Sequence, residues 1–299
     1  MYNTDYSRQR AYAKINLTLD VGGMRPDGFH EVTMVMQTVG LWDEITLNLR
    51  RDGKIHLDCN WPYLVRDERN IAWRAAHLIL QTCGRSEGVD IRLAKKIPVA
   101  AGLAGGSSDA AAVLRGMNHL LKAGLSLREL SELAKQLGSD VPYCLTGGTC
   151  LATGRGEELE RIETMPPAYV VLVKPDFGIS TPWAYAHFDP ERVQRRPDVD
   201  AMREAIRSQN LTGIGAEMVN LLETAALEAY PVLNTIKGLL RQRGAAGVLM
   251  SGSGPTVYGL FEKERQAYAA ARVCRGFFPR SYQVFCCSLF RPKNFRDRV

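Results

Sequence analysis

Lys96-Ile97-Pro98-Val99-Ala100-Ala101-Gly102-Leu103-Ala104-Gly105-Gly106-Ser107-Ser108-Asp109-Ala110-Ala111-Ala112-Val113-Leu114 is the stretch on which the organisation of the chain turns. Upstream of it, Val89, Ile91 and Leu93 alternate with polar residues as in a half-buried strand; downstream, Val113, Leu114, Met117, Leu120 and Leu121 recur at helical spacing. A glycine-rich loop therefore joins a strand to a helix. Its glycines let the backbone turn sharply and bring N–H groups close to a ligand. Ser107 and Ser108 stand where a helix cap is expected, so their hydroxyls and the first free N–H groups are expected to face one point. That point suits phosphate, because a helix N-terminus carries about half a positive charge. A plain turn with a cap is the alternative, but it rarely needs three glycines, two serines and an alanine-lined approach.

Neither of the two commonest nucleotide motifs is present. No Gly-Lys-Ser/Thr follows the loop, and its glycine spacing is not that of the dinucleotide-binding G-x-G-x-x-G. The 299 residues are 45% hydrophobic and 23% charged, enough for a large core in one or two domains. No apolar run reaches the roughly 20 residues of a membrane span, and the polar start lacks a signal-peptide core, so a cytoplasmic protein with no membrane partner is expected. The seven cysteines include no C-x-x-C and the five histidines no metal-ligand spacing, which argues against a zinc site or a disulfide framework. The net charge of +6 is spread along the chain, its densest patch being Arg291, Lys293, Arg296 and Arg298. It reads as a solvated surface that also draws anionic nucleotides, and no nucleic-acid partner is expected.

From the N-terminus, Ala13, Ile15, Leu17, Leu19 and Val21 alternate with Lys14, Asn16, Thr18 and Asp20, so Lys14 and Asn16 leave one strand on the same side. Arg25-Pro26-Asp27-Gly28 is a turn into a strand starting at Phe29-His30, and Ile45 to Leu49 with Lys54 to Asp58 reads as a hairpin. Asn70 can cap a helix. Ser126 and Glu129 form a capping box, and Gly138 closes that helix just before Asp140. A domain boundary is placed near Pro166-Pro167, giving 1–165 and 166–299. Beyond it, Tyr169 to Lys174 is a strand and Thr181-Pro182-Trp183-Ala184-Tyr185 starts an aromatic loop. Helical patterns run over Ala201 to Gln209, Asn220 to Glu228 and Pro231 to Gly244, and two strands bracket a second glycine loop, Ser251-Gly252-Ser253-Gly254-Pro255. A helix around Arg265 to Cys274 and a strand at Tyr282 to Leu289 complete an α+β half.

Three of these segments, in order, resemble the three motifs of the GHMP kinases, the superfamily of galactokinase, homoserine kinase and mevalonate kinase. They are Ala-Lys-Ile-Asn at 13–16, the loop from Pro98 to Ser108, and Ser-Gly-Ser-Gly-Pro-Thr at 251–256. Within the superfamily, Ala13 to Leu17 followed by Arg25 to His30 is similar to the branch that phosphorylates the 2-hydroxyl of a cytidine diphosphate sugar alcohol on the non-mevalonate route to isoprenoid precursors. The resemblance implies a two-domain α+β fold: an N-terminal half like ribosomal protein S5 domain 2, a ferredoxin-like C-terminal half, and the active site between them. It implies ATP as co-substrate and magnesium carried on the ATP phosphates with no protein-only metal site. The number of subunits stays open.

By the same matching, Asp140 is the catalytic aspartate and Lys14 the lysine beside it. Pro98, Val99, Ala100, Ala101, Gly102, Leu103, Ala104, Gly105, Gly106, Ser107 and Ser108 hold ATP, with Asn70 and Lys95 on the adenine side. Asn16, Thr181 and Pro182 line the acceptor site, Phe29 and Tyr185 cover opposite faces of the cytosine, and His30 bonds its edge. Gly252, Ser253 and Gly254 form the third motif. Phe29 falls where the family usually has tyrosine, and Asp109 where it often has asparagine. The rival readings are a homoserine- or mevalonate-type kinase, whose substrates offer no base to stack, and a nucleic-acid-binding protein.

Overall fold

The computed structural model describes residues 6–290, so the basic patch at Arg291, Lys293, Arg296 and Arg298 lies outside the described residues. Two long strands, β1 (Tyr6–Met24) and β2 (His30–Arg50), pair antiparallel around the 25–29 turn. β3 (Ile55–Cys59), α1 (Ile71–Thr82), β4 (Gly88–Ala94), α2 (Gly105–Leu120), α3 (Leu127–Lys135), α4 (Val141–Thr146), β5 (Thr149–Thr153) and β6 (Glu158–Arg161) follow. The chain continues through β7 (Tyr169–Lys174), α5 (Thr181–Ala186), α6 (Val199–Arg207), α7 (Leu211–Glu217), β8 (Val219–Asn220), α8 (Glu223–Ala229), α9 (Val232–Gln242), β9 (Gly247–Met250), β10 (Val257–Phe261), α10 (Glu264–Phe277) and β11 (Gln283–Ser288).

One seven-stranded sheet has the order β3-β4-β2-β1-β8, with β5 paired to β2 and β6 to β5. The second sheet runs β11-β7-β10-β9, all antiparallel. That order, with helices between β7 and β9 and between β10 and β11, is the ferredoxin-like arrangement, and the fold is α+β as expected. Ile45, Leu47, Ile91 and Leu93 pack on one side against Ala75 and Ile79 of α1 and Ala111 and Leu114 of α2. Ala13, Ile15 and Leu17 of β1 pack in a separate core with Leu172, Leu249, Tyr258 and Leu260 of the second sheet. The strand carrying Lys14 is thus set where the two sheets meet. No helix among the described residues is long and apolar enough to cross a membrane.

Several local expectations are corrected. Residues 54–58 do not form a hairpin with 45–49: β3 pairs parallel with β4, which lies between β3 and β2. Insertion gives β4 a partner on each edge and buries Val89, Ile91 and Leu93, which a local hairpin would have left on an edge strand. The polar side of β1 is buried from Lys14 to Thr18, with Lys14 4% and Asn16 0% exposed, and Asp20 is partly open. The β1–β2 register also slips between Tyr12 and Lys14 and between Asn16 and Thr18. Thr181–Ala186 is a short helix rather than a loop, because Ser180 caps it by accepting from Trp183 N and Pro182 sits in its first turn. Asn220 belongs to β8, paired parallel to Thr18 and Leu19, not to a helix. The helix expected to close at Gly138 ends two residues earlier, with Gln136 as its C-cap.

Candidate active site

A cleft of about 570 Å³ opens between the two glycine loops and is lined on its floor by Lys14 and Asp140. Every residue from Pro98 to Ser107 borders it, as do Asn70, Lys95, Thr181, Tyr185, Gly252 and Ser253. The first loop is anchored from below by a residue that the sequence reading passed over. Asp43 of β2 accepts from Lys96 N, from Ile97 N at 2.8 Å and from Lys95 Nζ at 2.5 Å. Lys95 Nζ also donates to Asp109 Oδ2 at 2.6 Å. The signal was present: Leu41, Asp43, Ile45 and Leu47 share one inward face, and an acid in that register has to be paired. Burial alone would lower the Lys95 ammonium, but Asp109 and Asp43 outweigh it and hold it above its ordinary value. Burial, only partly offset by Lys95, pushes the Asp109 carboxyl up to about 8. Lys95 is thus a buried strut under the loop, and both polar atoms of the Asn70 side chain are engaged as well, with Ala72 N and Val65 O.

The two serines do not cap α2. Ala104, in the left-handed region at φ 55°, is its N-cap and makes no side-chain bond. Gly105 and Gly106 open the helix early, so Gly105, Gly106 and Ser107 form the first turn, whose N–H groups lack intrahelical acceptors. Ser108 turns away from the cleft: its hydroxyl donates to Tyr12 O at 2.7 Å, tying α2 to β1. The loop also meets β1 directly, through Lys14 N donating to Leu103 O at 3.2 Å beside the register slip.

Lys14 Nζ stands 3.6 Å from Asp140 Oδ2 and donates to Asn16 Oδ1 at 2.7 Å. Asp140 occupies the N-cap position of α4, yet its carboxylate makes no capping bond, which leaves it available at the cleft. The second glycine loop closes over this pair. Ser251 Oγ donates to Gly102 O at 2.9 Å, Ser253 Oγ lies 3.2 Å from Thr181 Oγ1, and Tyr258 donates to Asn16 O at 2.7 Å. Gly252 sits in the left-handed region at φ +56°, close against both the first loop and this pair: a Cβ there would lie 3.2 Å from Gly102 O and in contact with Asn16 Oδ1 at 3.4 Å and Lys14 Nζ at 3.5 Å. Gly254 lies behind the loop, where a Cβ would meet Met250 Sδ at 2.5 Å.

At the edge of the cleft Tyr185 faces His30, their rings stacked at 5.5 Å and 21°. His30 Nδ1 is 3.1 Å from Gly22 O. Burial, with Asp140 nearby, pushes the Tyr185 phenol up to about 12. Phe29 is 52% exposed and lies under the Arg155 guanidinium at 5.2 Å, so the structure pairs Tyr185 with His30 and Phe29 with Arg155. Pro182 serves in the first turn of α5. Leu64, Val65 and Arg69 also line the cleft, and nothing in their local spacing marks them in the sequence.

Two family models match the chain, GHMP kinases N terminal domain over residues 70–148 and GHMP kinases C terminal over residues 202–280. A 4-diphosphocytidyl-2-C-methyl-D-erythritol kinase of Geobacillus thermodenitrificans is 49% identical over 289 residues, covering 96% of this chain and 98% of its own. One from Exiguobacterium sibiricum is 48% identical over 275 residues, covering 92% and 96%. A crystal structure of 4-(cytidine 5'-diphospho)-2C-methyl-D-erythritol kinase superposes with a TM-score of 0.82 at 35% identity, over 96% of this chain and 100% of that one. A homoserine kinase from Cytophaga hutchinsonii shares the fold at TM-score 0.78 and 19% identity. The chain therefore belongs to the GHMP kinases and, among them, to the family of 4-diphosphocytidyl-2-C-methyl-D-erythritol kinases.

Proposed function

We propose that this chain transfers the γ-phosphoryl group of ATP to the 2-hydroxyl of 4-diphosphocytidyl-2-C-methyl-D-erythritol, giving the 2-phosphate and ADP in the non-mevalonate pathway to isoprenoid precursors. The observation that carries the chemistry is the 3.6 Å approach of Lys14 to Asp140 on the floor of a cleft roofed by two glycine loops. Phosphoryl transfer needs alignment and charge neutralisation more than covalent chemistry. The first-turn N–H groups of α2 are placed to hold the nucleotide phosphates. Asp140 accepts the proton of the attacking hydroxyl as its oxygen bonds to the γ-phosphorus and ADP departs. Lys14, held by Asn16, orients that carboxylate and offsets negative charge in the transition state.

Among the described residues no group of three or more His, Cys, Asp or Glu could hold a metal ion. Magnesium fits here as an ion brought by the nucleotide, with Ser107 at the cleft as a side chain able to complete its shell. When bound it neutralises phosphate charge. On the acceptor side, the stacked pair His30 and Tyr185, together with the exposed Phe29 ring beneath Arg155, are the aromatic side chains that would recognise the cytosine.

The test is ADP release from ATP and magnesium with 4-diphosphocytidyl-2-C-methyl-D-erythritol present, omitted, or replaced by homoserine or mevalonate. Release with the cytidine compound alone is expected. Release with another alcohol would keep the ATP site and overturn the acceptor assignment. No release, with tight salt-sensitive nucleic-acid binding indifferent to ATP, would overturn the enzyme assignment.

A further inference from the structure

The second glycine loop hangs from residues with no part in the chemistry above. Asn220, on the two-residue strand β8, is buried, and its Nδ2 donates to both Met250 O and Gly252 O at 2.8 Å. Its Oδ1 accepts from Leu222 N at 3.0 Å, so the amide orientation is set by the chain that follows. Three residues on, the buried Glu223 accepts from Met250 N at 2.8 Å and pairs with the equally buried Lys237 Nζ at 2.5 Å. Both backbone groups of Met250 and the carbonyl of Gly252 are thus gripped from one side. On the other side Ser251 bonds Gly102, and Gly252 presses towards Lys14 and Asn16.

We propose that Asn220 is a positioning residue for phosphoryl transfer: its carboxamide, backed by the Glu223–Lys237 pair, holds residues 251–254 against the first glycine loop and so sets where Lys14 stands relative to Asp140. The two carbonyls it joins flank Ser251, the residue that ties one loop to the other. A side chain that only filled space there would not need a forked donor, and two buried carbonyls robbed of it would turn away to find other partners. A shift of about 1 Å at the reacting groups costs about a hundredfold in rate.

The inference rests on the kinase reading, and the two fail differently: without acceptor-dependent ADP release in the wild type the reading fails, whereas normal Asn220 variants of an active wild type sink only the inference. Turnover and both KM values would be measured for Asn220→Ala, the isosteric but donor-free Asn220→Asp, Ser251→Ala and the Asn220→Ala/Ser251→Ala double variant, with thermal melts and ADP titrations to show that each is folded. We expect kcat to fall about 30-fold or more in both Asn220 variants with KM values within about threefold, and the double variant to be scarcely slower than Asn220→Ala, since both act through one chain of contacts. Turnover restored by Asn220→Asp, effects confined to KM, or effects that multiply in the double variant would overturn it. Should the Asn220 variants not fold, the paired isosteric change Glu223→Gln with Lys237→Met is expected to lower kcat about fivefold at unchanged KM, and unchanged kcat would overturn the inference.

Discussion

Gly102→Ala should slow the enzyme far more than it unfolds it. Gly102 sits at φ +72°, and a Cβ there would lie 2.0 Å from Ser251 O and 3.0 Å from Gly254 N. Ordinary contact begins near 3.4 Å, so the two loop backbones must part by about 1.4 Å. That movement breaks the Ser251 Oγ bond to Gly102 O and carries Gly252 away from Lys14. The left-handed backbone costs an alanine about 1–2 kcal/mol and the lost hydrogen bond about 1 kcal/mol. Together these correspond to a melting point lower by about 3–5 °C in a chain of this size. Misplacement of the phosphate cradle by more than 1 Å should lower kcat about a hundredfold. The assay is coupled ADP release at saturating ATP and acceptor, with melts in parallel. Gly276→Ala serves as control, because nothing lies within 4 Å of a Cβ at that helical position. A Gly102→Ala enzyme with kcat within threefold of wild type would refute the claim that transfer requires the two loops at their observed spacing.

Asp140→Asn removes the proposed proton acceptor and should lower kcat about 10²–10⁴-fold with the fold intact by circular dichroism. Phe29→Ala should raise KM for the cytidine substrate about 5- to 150-fold, as loss of about 1–3 kcal/mol of stacking implies, and leave KM for ATP unchanged. The raised Asp109 carboxyl makes a signed prediction for stability. The folded chain keeps a proton there that the unfolded chain gives up, so stability falls as pH rises from the ordinary carboxylate range towards about 8, by at most about 1.4 kcal/mol per pH unit. Asp109→Asn, which cannot ionise, should therefore gain on the wild type in urea unfolding as pH rises from 5 to 8, and an unchanged difference across that range would argue against a buried protonated carboxyl.

The glycine loop, the helix after it and the strand before it were legible because each rests on local spacing: apolar period two, then special backbone residues, then apolar period near 3.6. The capping box at Ser126 and Glu129 and the cap at Asn70 were readable for the same reason, since a cap is completed within four residues. Lys14, Asp140 and the Ser251–Gly254 loop were legible only as motifs. Their residue types and order pointed to kinase chemistry, while nothing local in the chain says that positions 14, 140 and 252 converge. Local cues misled where a distant partner competed. Ser108 looked like a cap, but the buried carbonyl of Tyr12 claims its hydroxyl. Residues 54–58 looked like half of a hairpin, but β4 offered them an edge whose own side chains needed burial on both flanks.

By itself, then, the sequence determined the α+β class, the glycine-rich loop between strand and helix, the kinase motifs and the residue types available for catalysis, because these depend on periodicity, backbone freedom and side-chain chemistry carried by neighbouring residues. Only the tertiary structure decided that Lys14 meets Asp140, that Asp43 and Asp109 share one buried lysine beneath the loop, and that Asn220 grips the second loop from behind. Those contacts join residues 14 to 126 positions apart, and what selects them is burial where the sheet containing β1 packs against its helices and the second sheet, so that each polar group must find a partner at whatever distance along the chain one is supplied.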